Sequence, residues 1–72
     1  MEIIHTTDLS QERYDGYMYK SVSLIKEFGM YNVITATKLT GHYTAKQMYI
    51  QSKVTCDYDQ AVCNYQIAGG KM

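Results

Sequence analysis

The chain has 72 residues, of which 46% are hydrophobic, and its 7 basic and 7 acidic residues give no formal net charge at neutral pH. A chain of this length forms one domain whose few apolar side chains fill a small core, which disfavours an enclosed catalytic pocket. The even charge balance argues against a strongly acidic DNA mimic and against a polybasic nucleic-acid binder.

Charge is nevertheless distributed unevenly along the sequence. Residues 1–16 carry a net charge of −3, residues 17–53 carry +4 and the remainder carries −1. The amino terminus is acidic and reaches Asp8 before any apolar run develops, so the sequence predicts no secretion signal. No apolar stretch approaches the length of about 18 residues that a membrane span needs. With only two cysteines, the sequence predicts a single cytoplasmic domain with reduced thiols.

The first predicted element is a strand at 2–7, where EIIHTT is short and rich in β-branched residues. A polar segment follows and ends in the turn dipeptide Asp15-Gly16. Residues 17–28 are ambiguous, because YMYKSVSLIKEF fits both a helix that ends at Gly29 and a strand that enters a two-residue turn at 29–30. We favour the strand, since the resulting hairpin separates apolar from polar side chains.

This hairpin pairs Phe28 with Tyr31 and Leu24 with Thr35, and so divides the sheet into a core face and an outer face. The core face receives Val22, Leu24, Phe28, Tyr31, Val33 and Leu39. The outer face receives Tyr17, Tyr19, Ser21, Ser23 and Lys38, with Ile25, Ile34 and Ala36 as its apolar members.

The segment KQMYIQSKV alternates in the same way and predicts a further strand. One side of this strand carries Met48, Ile50 and Val54, and the other carries Gln47, Tyr49, Gln51 and Lys53. A helix at 58–67 then covers the core face with Tyr58, Ala61, Val62 and Tyr65. The predicted fold is therefore α+β: an antiparallel meander of three to four strands with one C-terminal helix, in the order β-β-β-β-α, with β-α-β-β-α as the alternative.

The stretch CDYDQAVCNYQ at 56–66 has the most chemically suggestive composition in the chain. Asp57 and Gln60 have the spacing of a capping box, Asp59 adds a favourable charge to the first helical turn, and 69–70 is a diglycine that ends the helix. We therefore interpret this stretch as the start of a helix.

The same stretch does not have the pattern of a metal or redox site. Cys56 and Cys63 are separated by six residues, whereas zinc sites are usually built on a closer pair, and His5 and His42 do not form a pair either. On one helix the two cysteines would lie about 10 Å apart, too far for a disulfide. The sequence predicts small, partly buried thiols, no metal and no cofactor.

No catalytic motif is present in the sequence. It contains no nucleophile elbow, phosphate-binding loop or HExxH motif, and no paired carboxylates beside an apolar pocket. We therefore expect a protein that is not an enzyme.

Tyrosine gives a stronger functional signal, since eight residues are Tyr against one Phe and no Trp. Tyrosine combines a large contact area with a hydrogen-bonding hydroxyl group and is favoured at binding surfaces. The predicted outer face carries Tyr17, Tyr19 and Tyr49, although these residues could simply satisfy strand propensity. With the neighbouring loop and lysines, the candidate binding residues are Tyr17, Tyr19, Tyr43, Tyr49, Lys20, Lys46 and Lys53.

In size and element order the chain resembles the small sheet-plus-helix proteins with which bacteriophages disable host defences, including several anti-CRISPR proteins. The resemblance covers the predicted strands YKSVSLIKEFGMYNVITATKL and KQMYIQSKV and the capped helix DYDQAVCNYQIAGG. It implies a protein that acts without catalysis, in the host cytoplasm, by occupying a surface of a larger host protein or ribonucleoprotein complex. It carries over no site residues, because that group shares no residue signature.

Three modes of action remain open at this point. The leading one is an inhibitor or regulator whose outer-face tyrosines anchor a protein partner while lysines steer it toward an acidic surface. The second is an RNA or single-stranded DNA binder that stacks bases on the tyrosines, against which the single Arg and the zero net charge count. The third is a homodimer or larger homo-oligomer that pairs through its sheet edges or outer faces.

Overall fold

The computed structural model describes residues 1–13, 16–41 and 47–71. This part of the chain forms one antiparallel sheet, with strand order β1-β3-β4-β5 and with β2 also paired to β3. The predicted α+β meander of order β-β-β-β-α, with one C-terminal helix on the sheet, is confirmed. The elements are β1 (Glu2–Asp8), β2 (Gln11–Arg13), β3 (Gly16–Glu27), β4 (Met30–Gly41), β5 (Gln47–Thr55) and α1 (Tyr58–Ile67).

The ambiguous segment 17–28 is a strand, as favoured, but the turn that follows it lies one residue earlier than predicted. Glu27 pairs with Met30, so the turn consists of Phe28 and Gly29, whose φ angles are 52° and 75°. Two positive φ angles define a type I′ turn, whose twist matches that of the flanking strands. The register therefore differs by two residues from the predicted one, and Leu24 pairs with Val33.

A shift of two residues keeps the side chains of the β3–β4 hairpin on their predicted faces, because the side-chain period of a strand is two. The exception is Phe28, which was expected in the core and is instead 95% exposed in the turn. The core prediction for Phe28 is therefore wrong, since the tight turn takes Phe28 out of the pleated strand altogether.

The polar segment after β1 contains a short strand that the sequence did not predict. β1 and β2 form two parts of one edge and are separated by Leu9 and Ser10, both of which still bond to Lys20 of β3. The Leu9 amide donates to the Lys20 carbonyl at 2.8 Å, and the Lys20 amide donates to the Ser10 hydroxyl at 3.1 Å. The side chain of Ser10 thus replaces a missing backbone partner at the break.

The core lies between one face of the sheet, called the helix face, and α1. Its buried members are Val22, Leu24, Val33, Ala61 and Tyr65. α1 packs on β3, β4 and β5. These residues alternate along the strands and recur at helical spacing in α1, which is why the amphipathic pattern of the sequence was sufficient to locate the core.

The beginning of α1 is only partly as predicted. Asp57 is the N-cap, and its carboxylate accepts from the Asp59 amide at 3.0 Å. The Gln60 side chain does not complete a capping box but donates to Asn64 at 3.0 Å, one turn further along the helix. The predicted capping box is therefore replaced by a simple Asp cap, because a buried neighbour competes for the Gln60 amide.

The end of α1 is the predicted diglycine. Gly69 has a φ angle of 106°, its amide donates to Gln66, and the Gly70 amide donates to Tyr65 at 2.8 Å. This pair of hydrogen bonds is a Schellman motif. A Cβ atom on Gly70 would overlap the Tyr65 ring, so the second glycine also makes room for the largest buried side chain.

Candidate binding surface

The outer face of the sheet is the face that lies opposite α1. The cross-strand pairs that form this face run through Ile25, Asn32 and Val54, and through Tyr19, Lys38 and Met48 in a second row. Several large apolar side chains on it are exposed although each belongs to a strand of the sheet. These are Ile3, Tyr17, Tyr19, Met48, Ile50 and Val54.

The extent of this exposure sets the outer face apart from an ordinary solvated sheet. Tyr19 is 50% exposed, Met48 is 64% exposed and Ile50 is 65% exposed. Four strands about 4.8 Å apart, each spanning about nine residues at 3.4 Å, give a face on the order of 600 Å². The exposed apolar side chains occupy part of this area, between polar ones such as Ser21, Lys38 and Ser52. Exposed apolar patches that are rimmed by polar residues are typical of interaction sites.

The predicted apolar members of the outer face, Ile25, Ile34 and Ala36, lie at outer-face register positions as expected. Ile25 is only 4% exposed, because strands on both sides screen it. Beside it, the side-chain oxygen of Asn32 is buried and has no hydrogen-bond partner among the described residues. The centre of this face thus combines a buried apolar side chain, Ile25, with a buried polar atom, the side-chain oxygen of Asn32.

Tyr17 and Tyr19 form a contiguous aromatic patch at one end of the outer face. Their ring centroids lie 4.4 Å apart, with the rings tilted by 48°. Two residues apart on one strand, they project from the same side of the sheet. Lys38 lies directly opposite Tyr19 on β4, which places one positive charge beside the aromatic pair. This combination of rigid aromatic rings and a cation suits protein recognition.

An acidic group lies near the edge of the same region. The hydroxyl and the amide of Ser10 donate to the Asp8 carboxylate, the amide at 2.9 Å, and hold the pKa of Asp8 below its usual value. Asp8 is therefore ionised at neutral pH, and it lines a shallow depression together with Tyr19, Ser21, Ala36, Lys38 and Met48. A positive and a negative group thus flank an apolar floor.

Tyr49 does not lie on the outer face, and that part of the prediction is wrong. It pairs with Thr37, which pairs with Lys20 in turn, so all three are on the helix face. Lys53 is on the helix face as well, since it pairs with Val33 of the core. The periodicity of β5 predicts that its apolar side faces the core. The β4–β5 register instead places Met48, Ile50 and Val54 outside.

A signal for this arrangement was present in the sequence. Ile25, Ile34 and Ala36 already made the outer face partly apolar, and β5 continues that surface with Ile50 and Val54. On the helix face, α1 has only ten residues, so it leaves part of the sheet uncovered. That part is a groove lined by Met18, Lys20, Thr35, Thr37, Leu39, Tyr49 and Gln51.

The structure thus separates the candidate residues into two groups. Tyr17 and Tyr19 lie on the outer face, whereas Lys20, Tyr49 and Lys53 lie on the helix face. Tyr43 and Lys46 lie outside the described residues. The predicted cluster of three tyrosines beside lysines is therefore not one surface.

The cysteines and histidines do not form a second site in the described part of the chain. Cys56 and Cys63 are free thiols and both are exposed, so the expectation that they are partly buried is wrong. Among residues 1–13, 16–41 and 47–71, no three His, Cys, Asp or Glu side chains lie close enough to hold a metal ion. His5 instead lies near the buried Tyr65, with ring centroids 6.3 Å apart.

Comparison with known proteins adds no relative to these observations. No family model matches the chain, and no curated protein or solved structure matches it. No helix in the described part of the chain is long and apolar enough to cross a membrane.

Proposed function

We propose that this chain is a non-enzymatic binding protein that inhibits or regulates a larger protein by docking the outer face of its sheet on it. The observation that supports this proposal is the set of exposed apolar side chains that β1, β3 and β5 present on the face opposite α1. The area of that face, about 600 Å², is somewhat smaller than one side of a standard protein interface, about 800 Å².

The chemistry of the outer face favours a protein partner with an apolar contact area. Tyr17 and Tyr19 lose little side-chain entropy on binding, because their rings already contact each other. Of the lysines on the described strands, Lys38 alone has an outer-face register position. A complementary partner would therefore present an apolar patch with an acidic group opposite Lys38.

The class of partner follows from the resemblance in size and element order to phage inhibitors of host defence. We propose a host protein or ribonucleoprotein complex of the defence machinery as the partner, and stoichiometric occupation of its surface as the mode of action. A small rigid sheet suits this role, because it presents a large contact area without reorganising its backbone. The proposed location is the cytoplasm of that host.

Nucleic-acid binding, the alternative, has less support. Base stacking on a sheet requires aromatic rings and cations on one surface. The register places Tyr17 and Tyr19 on one face and Tyr49 with Lys20 and Lys53 on the other. The three tyrosines that this alternative required on one surface are thus divided between two faces, with at most two rings on either.

Affinity capture from host lysate with a matched pair of variants tests the proposal. Tyr17→Ser/Tyr19→Ser alters the outer face, and Tyr49→Ser alters a tyrosine of similar exposure on the helix face. We expect the outer-face variant to lose the proteins that the unaltered chain retains, and the Tyr49→Ser control to keep them. If Tyr49→Ser lost the captured proteins while Tyr17→Ser/Tyr19→Ser retained them, binding would belong to the helix face and the proposal would be refuted.

A further inference from the structure

One edge of the sheet is long, regular and open. Within residues 1–13, 16–41 and 47–71, β5 pairs with β4 alone, through nine consecutive residues without a bulge. Each residue from 48 to 54 is exposed. An edge strand of this kind presents a row of backbone donors and acceptors to any strand of complementary shape.

The hairpin identifies which backbone groups of β5 point away from the sheet. In a two-residue hairpin the residues that flank the turn, Glu27 and Met30, form a hydrogen-bonded pair. The alternation continues without interruption across β4, so the odd-numbered residues of β4 bond to the odd-numbered residues of β5. The amides and carbonyls of Met48, Ile50, Ser52 and Val54 consequently face the open edge.

The opposite edge of the sheet is irregular, in contrast to β5. The register of β1 slips between Ile3 and His5, which is the mark of a bulge. The edge is then broken between β1 and β2 at Leu9 and Ser10. Bulges, breaks and charged residues are the usual devices that prevent a strand edge from pairing. β5 lacks the first two and has a single charged residue, Lys53.

We propose that β5 pairs antiparallel with β5 of a second copy of this chain, about a two-fold axis that passes through Gln51. Gln51 is the central residue of Gln47–Thr55, so this register gives the longest possible overlap of nine residues. The two sheets become one continuous sheet, with both helices on the same side. The outer faces remain open and adjoin each other, so the pairing is independent of the proposed partner surface.

The side chains of β5 are self-complementary in this register. On the outer face, Met48 of one copy lies opposite Val54 of the other, which brings two exposed apolar residues together. On the helix face, Tyr49 lies opposite Lys53, a pairing that suits a cation and an aromatic ring. No like charges meet across the axis, whereas an axis at residue 53 would place two lysines opposite each other.

A designed cross-link tests both the pairing and its register. Gln51 faces its own copy at a non-hydrogen-bonded position, where Cα atoms lie about 4.5 Å apart, within the range of a disulfide. Lys53 is on the same face, but its two copies would lie about 14 Å apart. The test introduces Gln51→Cys or Lys53→Cys into a Cys56→Ser/Cys63→Ser chain, followed by mild oxidation and non-reducing electrophoresis.

We expect at least a tenfold greater yield of covalent dimer from Gln51→Cys than from Lys53→Cys. Equal yields, or a higher yield at position 53, would overturn the proposed register and with it the proposal. Sedimentation gives the second measurement, since the unaltered chain should have the mass of two 8.3 kDa subunits.

Ser52→Pro removes an edge-facing amide without breaking the β4–β5 ladder and should yield the monomer, whereas Ser52→Thr should remain a dimer. A monomeric unaltered chain at high protein concentration would overturn the pairing outright.

Discussion

Phe28 stands at the first position of a type I′ turn, where the backbone requires a positive φ angle that a bulky side chain disfavours. Its ring is 95% exposed, so burial of the ring contributes little to stability and does not offset this strain. Phe28→Asn should therefore raise the free energy of unfolding by about 0.5–1 kcal/mol, because Asn-Gly is the favoured pair in this turn. Urea denaturation measures the change.

Gly29→Ala provides the control at the neighbouring position. Its φ angle of 75° is also positive, and no heavy atom lies near its side-chain position, so only backbone strain changes. We expect a loss of about 1 kcal/mol from this substitution. Stabilisation by Gly29→Ala, or destabilisation by Phe28→Asn, would contradict the turn assignment.

At the residue scale, the sequence predicted the buried residues better than the exposed ones. Alternating apolar residues predict a core that contains Val22, Leu24 and Val33, and all three are buried. Phe28 was assigned in the same way and is exposed, since position in a tight turn outweighs hydrophobicity. Tyr49 was misplaced for a different reason: its face depends on the β4–β5 pairing, which the periodicity of β5 alone does not determine.

At the scale of elements, a hydrogen bond made by the hydroxyl group of one buried tyrosine connects α1 to β1. The Tyr65 side chain is fully buried, and its hydroxyl group hydrogen bonds with Thr7 of β1. The Lys71 amide donates to the same Thr7 oxygen at 3.0 Å. The end of the helix and the first strand, which are far apart in sequence, are thereby held together.

Tyr65→Phe should lower the free energy of unfolding by about 1 kcal/mol, since it removes this hydrogen bond without opening a cavity. Tyr58→Phe is the matched control, because Tyr58 begins the same helix but is 43% exposed. Its effect should stay within about 0.5 kcal/mol. Both variants are compared by urea denaturation, and a larger loss for Tyr58→Phe would show that the helix is held elsewhere.

Secondary structure was largely predictable, whereas the precise pairing was not. The strand at 17–28 followed from the faces that a hairpin would create, and the helix at 58–67 followed from its Asp cap and terminal glycines. β2 was missed because three polar residues carry no periodicity and pair only as a continuation of β1. The type of turn at 28–29 was missed because Phe is an unusual residue for it.

At the scale of the whole molecule, the two faces of the sheet differ in what covers them. α1 covers one face, and the other exposes apolar side chains from three strands. Lysines are divided between the faces, with Lys20, Lys26 and Lys53 on the helix face and Lys38 on the outer face. On the helix face Lys20 and Lys26 lie about 20 Å apart along β3, and the described strands of the outer face carry Lys38 alone, so neither face presents a dense basic surface.

We accordingly expect no measurable binding of single-stranded RNA or DNA at low salt. A fluorescent oligonucleotide titrated with the full chain at about 50 mM and 200 mM salt is a direct measurement, because phosphate contacts weaken steeply with added salt. Micromolar affinity at the lower concentration, with a strong salt dependence, would favour the nucleic-acid alternative. The groove beside Tyr49 would then be the first place to look for its site.

The most direct test of the account compares two tyrosines of nearly equal exposure on opposite faces of the sheet. Tyr19 is 50% exposed on the outer face and Tyr49 is 53% exposed on the helix face. Once the partner has been captured, calorimetric titration gives its dissociation constant for the unaltered chain, Tyr19→Ser and Tyr49→Ser. We predict that Tyr19→Ser weakens binding about tenfold or more, and that Tyr49→Ser changes it less than about threefold. A larger loss for Tyr49→Ser than for Tyr19→Ser would contradict the outer face as the binding surface.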